Sequence, residues 1–212
     1  MATPVLAMVD HLVYATPDLN RGIDDLEKLL GVRATPGGQH LGIGTRNALI
    51  ALGPTTYFEI IGLDPEQPEP EKPRWFGLDN LRVPQLTAWF ANANDLGKLV
   101  THAAEQGVKL GTVLAGSRRR PDGTLLSWLA TDPRVVIADG IVPGFIKWGP
   151  TVHPARNAAQ GATLLDLRAE HPDPASVQKI LARLGIDLPV STGTRATLIA
   201  SVSAPKGLVE LR

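Results

Sequence analysis

Three observations predict an α+β fold made of three copies of one strand–helix–strands unit. They are a recurring amphipathic helix pattern, a β-like run before each helix, and turn-punctuated β-rich sequence after it. The helices are placed by apolar residues every three or four positions, polar starts and glycine stops. From Asp18 to Gly31 the stripe is Leu19, Ile23, Leu26 and Leu30; Asp18 caps the start and Gly31 supplies the left-handed stop. From Asn94 or Asp95 to Gly107 it is Leu96, Leu99, Val100 and Ala103. From Asp173 to Gly185 it is Val177, Ile180, Leu181 and Leu184, with Pro174 as first helical residue. The starts at Asp18, Asp95 and Asp173 lie 77 and 78 residues apart, which a duplicated unit explains.

The strand before each helix is read at Leu12 to Ala15, Leu86 to Phe90, and Leu164 to Leu167. Those after it are Asn47 to Leu52 and Tyr57 to Ile61; Leu125 to Ala130 and Val142 to Trp148; Ala196 to Val202 and Leu208 to Leu211. A short stretch directly after each helix completes βαβββ. Residues 1–63 are thus expected to form the first module and 64–83 a Pro-rich linker. Residues 84–150 form the second module, and 151–212 a connector and a third βαβββ-like module packed on the same domain. The four prolines and three glutamates between Asp64 and Pro73 favour an extended connector.

With 212 residues, 43% apolar and 20% charged, the chain can bury a full core. Lys plus Arg (21) balance Asp plus Glu (21), so no global field draws in nucleic acid or an anionic bilayer, and a small-molecule partner fits better. A homodimer is a further expectation. The absence of cysteine removes disulfides, thiolate nucleophiles and Cys-type zinc sites, and suits the cytoplasm. No basic flank precedes the short apolar N-terminal stretch, and no run approaches the ~18 apolar residues of a membrane span, so neither secretion nor insertion is expected.

Repeated βαβββ units, the opening His11-Leu-Val-Tyr-Ala-Thr-Pro-Asp-Leu19 and the strand Tyr57-Phe-Glu-Ile-Ile61 resemble the vicinal-oxygen-chelate (VOC) superfamily. Gly37-Gly-Gln-His40-Leu-Gly-Ile-Gly-Thr45-Arg-Asn47, Arg74-Trp-Phe76, Arg119-Arg-Pro-Asp-Gly123 and His153-Pro154 narrow the resemblance to its glyoxalase-like branch, over nearly the whole chain. The resemblance implies a half-open curved mixed sheet around a cleft, with helices packed outside. Glyoxalases and extradiol dioxygenases hold a divalent metal there with His and Glu; bleomycin-resistance-type binding proteins keep the fold without metal. Carried over by position, His11 and Glu59 are the metal ligands of the first module, for Zn, Ni, Mn or Fe. The second module has Ala88 at the position of His11, and Pro143-Gly-Phe-Ile-Lys147-Trp with no ligand in its last strand. Asp166 and Glu210 of the third unit stand as a substitute pair.

Strand alternation puts Glu59 on one face with Tyr57 and Ile61 among apolar neighbours. Burial of its charge requires a metal, a cation or a raised pKa; the alternative is an exposed edge or a plain ion pair. His11 is a ligand or base, or a satisfied core residue. His40, after two glycines, is placed to act as acid or base at the cleft mouth, with Asn47 and Thr45 donating hydrogen bonds; the alternative is a turn histidine. His153 either closes the cleft as a further catalytic group or lies exposed on its loop. Among Arg118, Arg119 and Arg120, alternation turns Arg119 opposite to its neighbours, and an inward arginine, taken as Arg119, would grip a carboxylate or phosphate. Trp128 is an aromatic wall for core or ligand. The expected catalytic residues are therefore His40, Glu59 and His153, with Asn47, Tyr57, Arg119 and Trp128 binding substrate. The function this points to is a glyoxalase-like lyase, isomerase or oxygenase acting on a small oxygen-rich metabolite, or a small-molecule binding or sequestering protein.

Overall fold

The structure is a computed structural model describing residues 3–120 and 122–212. After β1 (Thr3–Pro4) and one turn α1 (Val5–Met8) come β2 (Val9–Ala15), α2 (Leu19–Leu30), β3 (Thr35–His40), β4 (Thr45–Gly53) and β5 (Thr56–Leu63). A 3-10 turn at Trp75–Asn80 precedes β6 (Gln85–Asn92), α3 (Leu96–Glu105), β7 (Val113–Arg119), β8 (Leu125–Thr131) and β9 (Gly144–Trp148). The chain continues through β10 (Thr163–His171), α4 (Pro174–Arg183), β11 (Ile186–Asp187), β12 (Val190–Thr192), β13 (Thr197–Ala204) and β14 (Gly207–Leu211). The three long helices start as their sequences dictate. Asp18, Asp95 and Asp173 accept the backbone N–H of Arg21, Lys98 and Ser176, satisfying donors that a helix start leaves free.

Strands β2 to β9 close into a barrel in the order β2-β5-β4-β3-β7-β8-β9-β6. Its two halves share one internal order: the first strand lies parallel to the fourth, followed by the third and the second. One seam joins antiparallel β2 and β6 along their length. The other is the single pair Gln39–Arg119, which shuts the side where the sheet was expected to stay open. Gly38 permits that approach, since a Cβ there would lie 2.5 Å from the Arg119 carbonyl oxygen.

Alternation along the barrel strands sorts the side chains into two cores. Leu12, Phe58, Ile60, Trp89 and Phe145 face outward and pack with Leu26 and Leu30 of α2 and Leu96 of α3. Val13, Ala15, Ile61, Phe90, Ala130 and Ile146 face inward, joined by Trp75 and Phe76 from the stretch before β6. That stretch is tied to the barrel by Arg74, which bonds Glu69 (2.8 Å), Asp79 (2.6 Å) and the Gly44 carbonyl (3.2 Å).

The C-terminal strands form a separate sheet ordered β12-β10-β13-β14, with β10 parallel to β12 and antiparallel to β13, while β1 pairs with β11. Its strand order differs from that of the barrel halves. Asp166 and Glu210 both bond Arg168 on this sheet, so they are an ion-pair cluster there and not a substitute ligand pair.

Because α2 docks on the barrel through its buried stripe, Leu26→Ala is predicted to lower unfolding stability by about 3 kcal/mol through lost burial and the resulting cavity. A urea denaturation midpoint shifted by less than a third of that would contradict this packing.

Candidate functional site

The barrel encloses a cavity of about 230 Å³. Its polar lining is His11, His40, Asn47, Tyr57, Glu59, Arg118 and Arg134, and its aromatic walls include Trp75, Phe76, Phe90, Trp128 and Trp148. A larger groove of about 460 Å³ lies between the barrel and the C-terminal sheet; it contains no histidine and meets the cavity only at Phe76, Phe90 and Pro133.

Each polar group is positioned by its strand. A register shift in the β2–β6 pairing between Val9 and His11 removes Asp10 from strict alternation, so the buried Asp10 carboxylate sits beside the His11 ring. His11 Nδ1 lies 2.7 Å from Asp10 Oδ1, and the ring is stacked between Tyr57 and Phe90 at centroid distances of 4.8 and 4.7 Å. A carboxylate can only accept, so His11 Nδ1 carries a proton, and Nε2 faces Glu59 Oε2, 3.8 Å away. The other Asp10 oxygen accepts from Trp148 Nε1 (3.0 Å) and His153 Nε2 (3.1 Å). Burial alone would raise the Asp10 pKa, but the hydrogen bonds from His11 and His153, with their charges, carry it below its ordinary value.

A second chain of contacts crosses the barrel. Arg118, with 3% of its surface exposed, donates to Asn47 Oδ1 at 2.5 Å, and Asn47 Nδ2 donates to Glu59 Oε1 at 2.5 Å. Arginine has no acceptor, which fixes the Asn47 amide with its oxygen toward Arg118 and its nitrogen toward Glu59. The same nitrogen lies 3.5 Å from His40 Nε2, while His40 Nδ1 is 3.0 Å from Thr45 Oγ1. His40 therefore carries its proton on Nδ1. Gly37 makes room for this chain, because a Cβ there would collide with Asn47 Oδ1 and Arg118 Nη1. Burial also drives the Tyr57 phenol well above its ordinary pKa, with Glu59 and Asp10 adding to the effect, so it stays protonated as a donor.

Most of the residues expected at the site converge: His11, His40, Asn47, Tyr57, Glu59 and Trp128 all border the cavity. Two do not. Arg119 is exposed and bonds the Gly123 carbonyl (3.0 Å); the parity of the β7–β8 register turns Arg118 inward instead. His153 stands behind the site on Asp10, with its Nδ1 accepting from Ala155 N, and does not line the cavity. Asp10 and Arg118 are buried polar residues of this cluster that strand alternation alone failed to single out.

The metal site expected from His11 and Glu59 does not fit this geometry. The Asn47 amide nitrogen lies 2.5 Å from Glu59 Oε1 and 3.5 Å from His40 Nε2, so that carboxylate oxygen is already held by a donor, and His11 Nε2 with Glu59 Oε2 leaves two ligands where an open metal site needs about three. The Arg118 cation adjoins the same carboxylate through that amide. Among the described residues no three His, Asp or Glu side chains are grouped to hold a metal ion.

Burial holds the His40 imidazole down at about 4 against an ordinary 6.5, with the Glu59 charge opposing and Arg118 adding to the shift. The unfolded chain takes up this proton below 6.5 and the folded chain only near 4, so the His40 share of stability is lost as pH falls through that window. The loss reaches ~3 kcal/mol at its limit. Urea titrations at stepped pH are predicted to show a steeper acid loss in wild type than in His40→Gln; equal slopes would contradict a buried neutral imidazole.

A family of glyoxalase-like domains matches residues 9–185. Among solved structures, a hypothetical protein from Staphylococcus aureus has a TM-score of 0.68 at 11% identity, over 96% of this chain and 98% of that one, a likeness of fold alone. Methylmalonyl-CoA epimerase from Mycobacterium tuberculosis aligns over 71% of this chain and 93% of its own, with TM-score 0.44 and 20% identity. A methylmalonyl-CoA epimerase in complex with methylmalonyl-CoA and NH4+ aligns over 69% and 96%, with TM-score 0.43 and 16% identity. No curated protein matches the sequence. The family match covers both halves of the barrel and every residue lining its cavity, and the chain belongs to the glyoxalase-like domain family of the VOC superfamily.

Proposed function

We propose that the protein is an isomerase or lyase that moves a proton on a small oxygen-rich molecule inside the barrel, using its own side chains. The observation that carries this reading is the pair of basic atoms, His11 Nε2 and Glu59 Oε2, 3.8 Å apart at the cavity and each held by a partner on its far side. Such preorganisation orients a base toward a substrate.

A C–H next to a carbonyl, placed against these atoms, loses its proton to Glu59 or His11. The bonding pair moves into the carbonyl to give an enolate. Tyr57, kept protonated by its surroundings, supplies a hydrogen bond to the developing oxygen charge. Return of a proton at the same or a neighbouring carbon completes an isomerisation, and loss of a β-substituent with the electron pair completes an elimination. His40, neutral and tied to Thr45, is a polar wall in this scheme and not a proton donor. At 230 Å³ the cavity is smaller than the ~300–1,000 Å³ of drug-sized sites, which suits a metabolite of few atoms.

The competing reading, a binding or sequestering protein, draws on the aromatic walls. The two are separated by incubating wild type and Glu59→Gln with a panel of small carbonyl compounds in D2O and following C–H exchange by NMR. Wild type is expected to exchange at least one compound, with a loss of about 10²- to 10⁴-fold in Glu59→Gln, the range of general base catalysis. Binding without exchange in both proteins would favour sequestration.

A further inference from the structure

Arg118 is a buried charged side chain on the cavity lining with no direct ion pair among the described residues. Its surface is 3% exposed, and its hydrogen bond to Asn47 is the only one its guanidinium makes among the described residues. No described carboxylate oxygen lies within 4.0 Å of it. Isolated burial of a cation is costly, and a guanidinium offers five N–H donors of which one is used here. Glu59, the one carboxylate lining the cavity, reaches Arg118 only through the Asn47 amide and turns its second oxygen toward His11. The other cation on the lining, Arg134, is already matched by Asp132 at 3.6 Å.

One further donor on the lining lacks a partner: the Tyr57 hydroxyl makes no hydrogen bond among the described residues. The cavity thus has unused donors around a buried cation that has no direct ion pair, between flat indole walls.

We infer that Arg118 binds the carboxylate of the substrate, so that the natural ligand is a small organic monoacid anion seated with its charged end on the guanidinium. This rests on the proton-transfer reading only for calling the ligand a substrate; the binding stands apart from turnover. The planar guanidinium matches a carboxylate edge to edge, which a single phosphate dianion facing one cation would not satisfy as fully. The reacting end then points toward Glu59 and His11, whose basic atoms border the same cavity.

The test measures binding of pyruvate, benzoate, benzamide and methyl phosphate to the full chain by calorimetry, supported by the emission of the cavity tryptophans. Benzoate or pyruvate is expected to bind saturably. Benzoate should exceed its neutral isostere benzamide by about 10- to 100-fold, the worth of a charge-assisted hydrogen bond. Arg118→Met should lose a similar factor and Arg118→Lys less, because lysine keeps the charge without the fork. Equal affinity for benzamide in wild type would overturn the inference even if Arg118→Met does not fold. So would tighter binding of methyl phosphate, or no saturable binding of either acid up to ~10 mM. Carboxylate binding without any C–H exchange would keep this inference and remove the catalytic reading; exchange on neutral carbonyls without carboxylate preference would do the reverse.

Discussion

The site depends on a neutral amide held between two buried charges. Arg118 comes from β7 in one half of the barrel, Glu59 from β5 in the other, and Asn47 on β4 stands between them. A direct ion pair would have neutralised both groups and saturated their hydrogen-bonding atoms. The amide instead satisfies one oxygen of the carboxylate and one nitrogen of the guanidinium, leaving the rest of each facing the cavity. The absence of a side chain at Gly37 is a condition for this arrangement, as is the β3–β7 seam beside Gly38.

The two halves of the barrel repeat one strand order and divide the chemistry unequally. The first half carries His11, His40, Asn47, Tyr57 and Glu59. The second contributes Arg118 and the indoles of Trp128 and Trp148, with Ala88 on the strand that corresponds to that of His11. A repeated fold whose copies have diverged in this way can bring a carboxylate and a guanidinium to one cavity from different halves, which a symmetric pair of modules would not.

Much of this was legible in the sequence. The helices follow from their caps and apolar stripes, and six of the residues expected at the site do converge, because strand parity reports which side chains share a face. Parity also set the limits. At Asp10 the register shift places two residues of β2 against one of β6, so the neighbour of a cavity residue is drawn into the site where alternation would send it away. At the arginine triplet the sequence offers three candidates, and only the pairing of Gly116 with Trp128 and of Arg118 with Leu126 selects the inward one. The contacts of His153 and the Asn47 amide were not legible for a different reason: hydrogen-bond partners distant in sequence decide whether a polar group is free for chemistry or occupied in holding another.

The contact between His153 and Asp10 also bears on where the working unit ends. A fragment stopping at residue 150 would retain every wall of the cavity, yet strip one Asp10 oxygen of its imidazole and remove Ala159, whose carbonyl receives the Ala51 N–H of β4 at 2.8 Å. Even the boundary of family similarity at residue 185 falls short, since the Arg212 carbonyl accepts from Leu86 N at the start of β6. For recombinant dissection, the segment least like an active centre is therefore part of its scaffolding, and the smallest unit worth expressing reaches to Arg212.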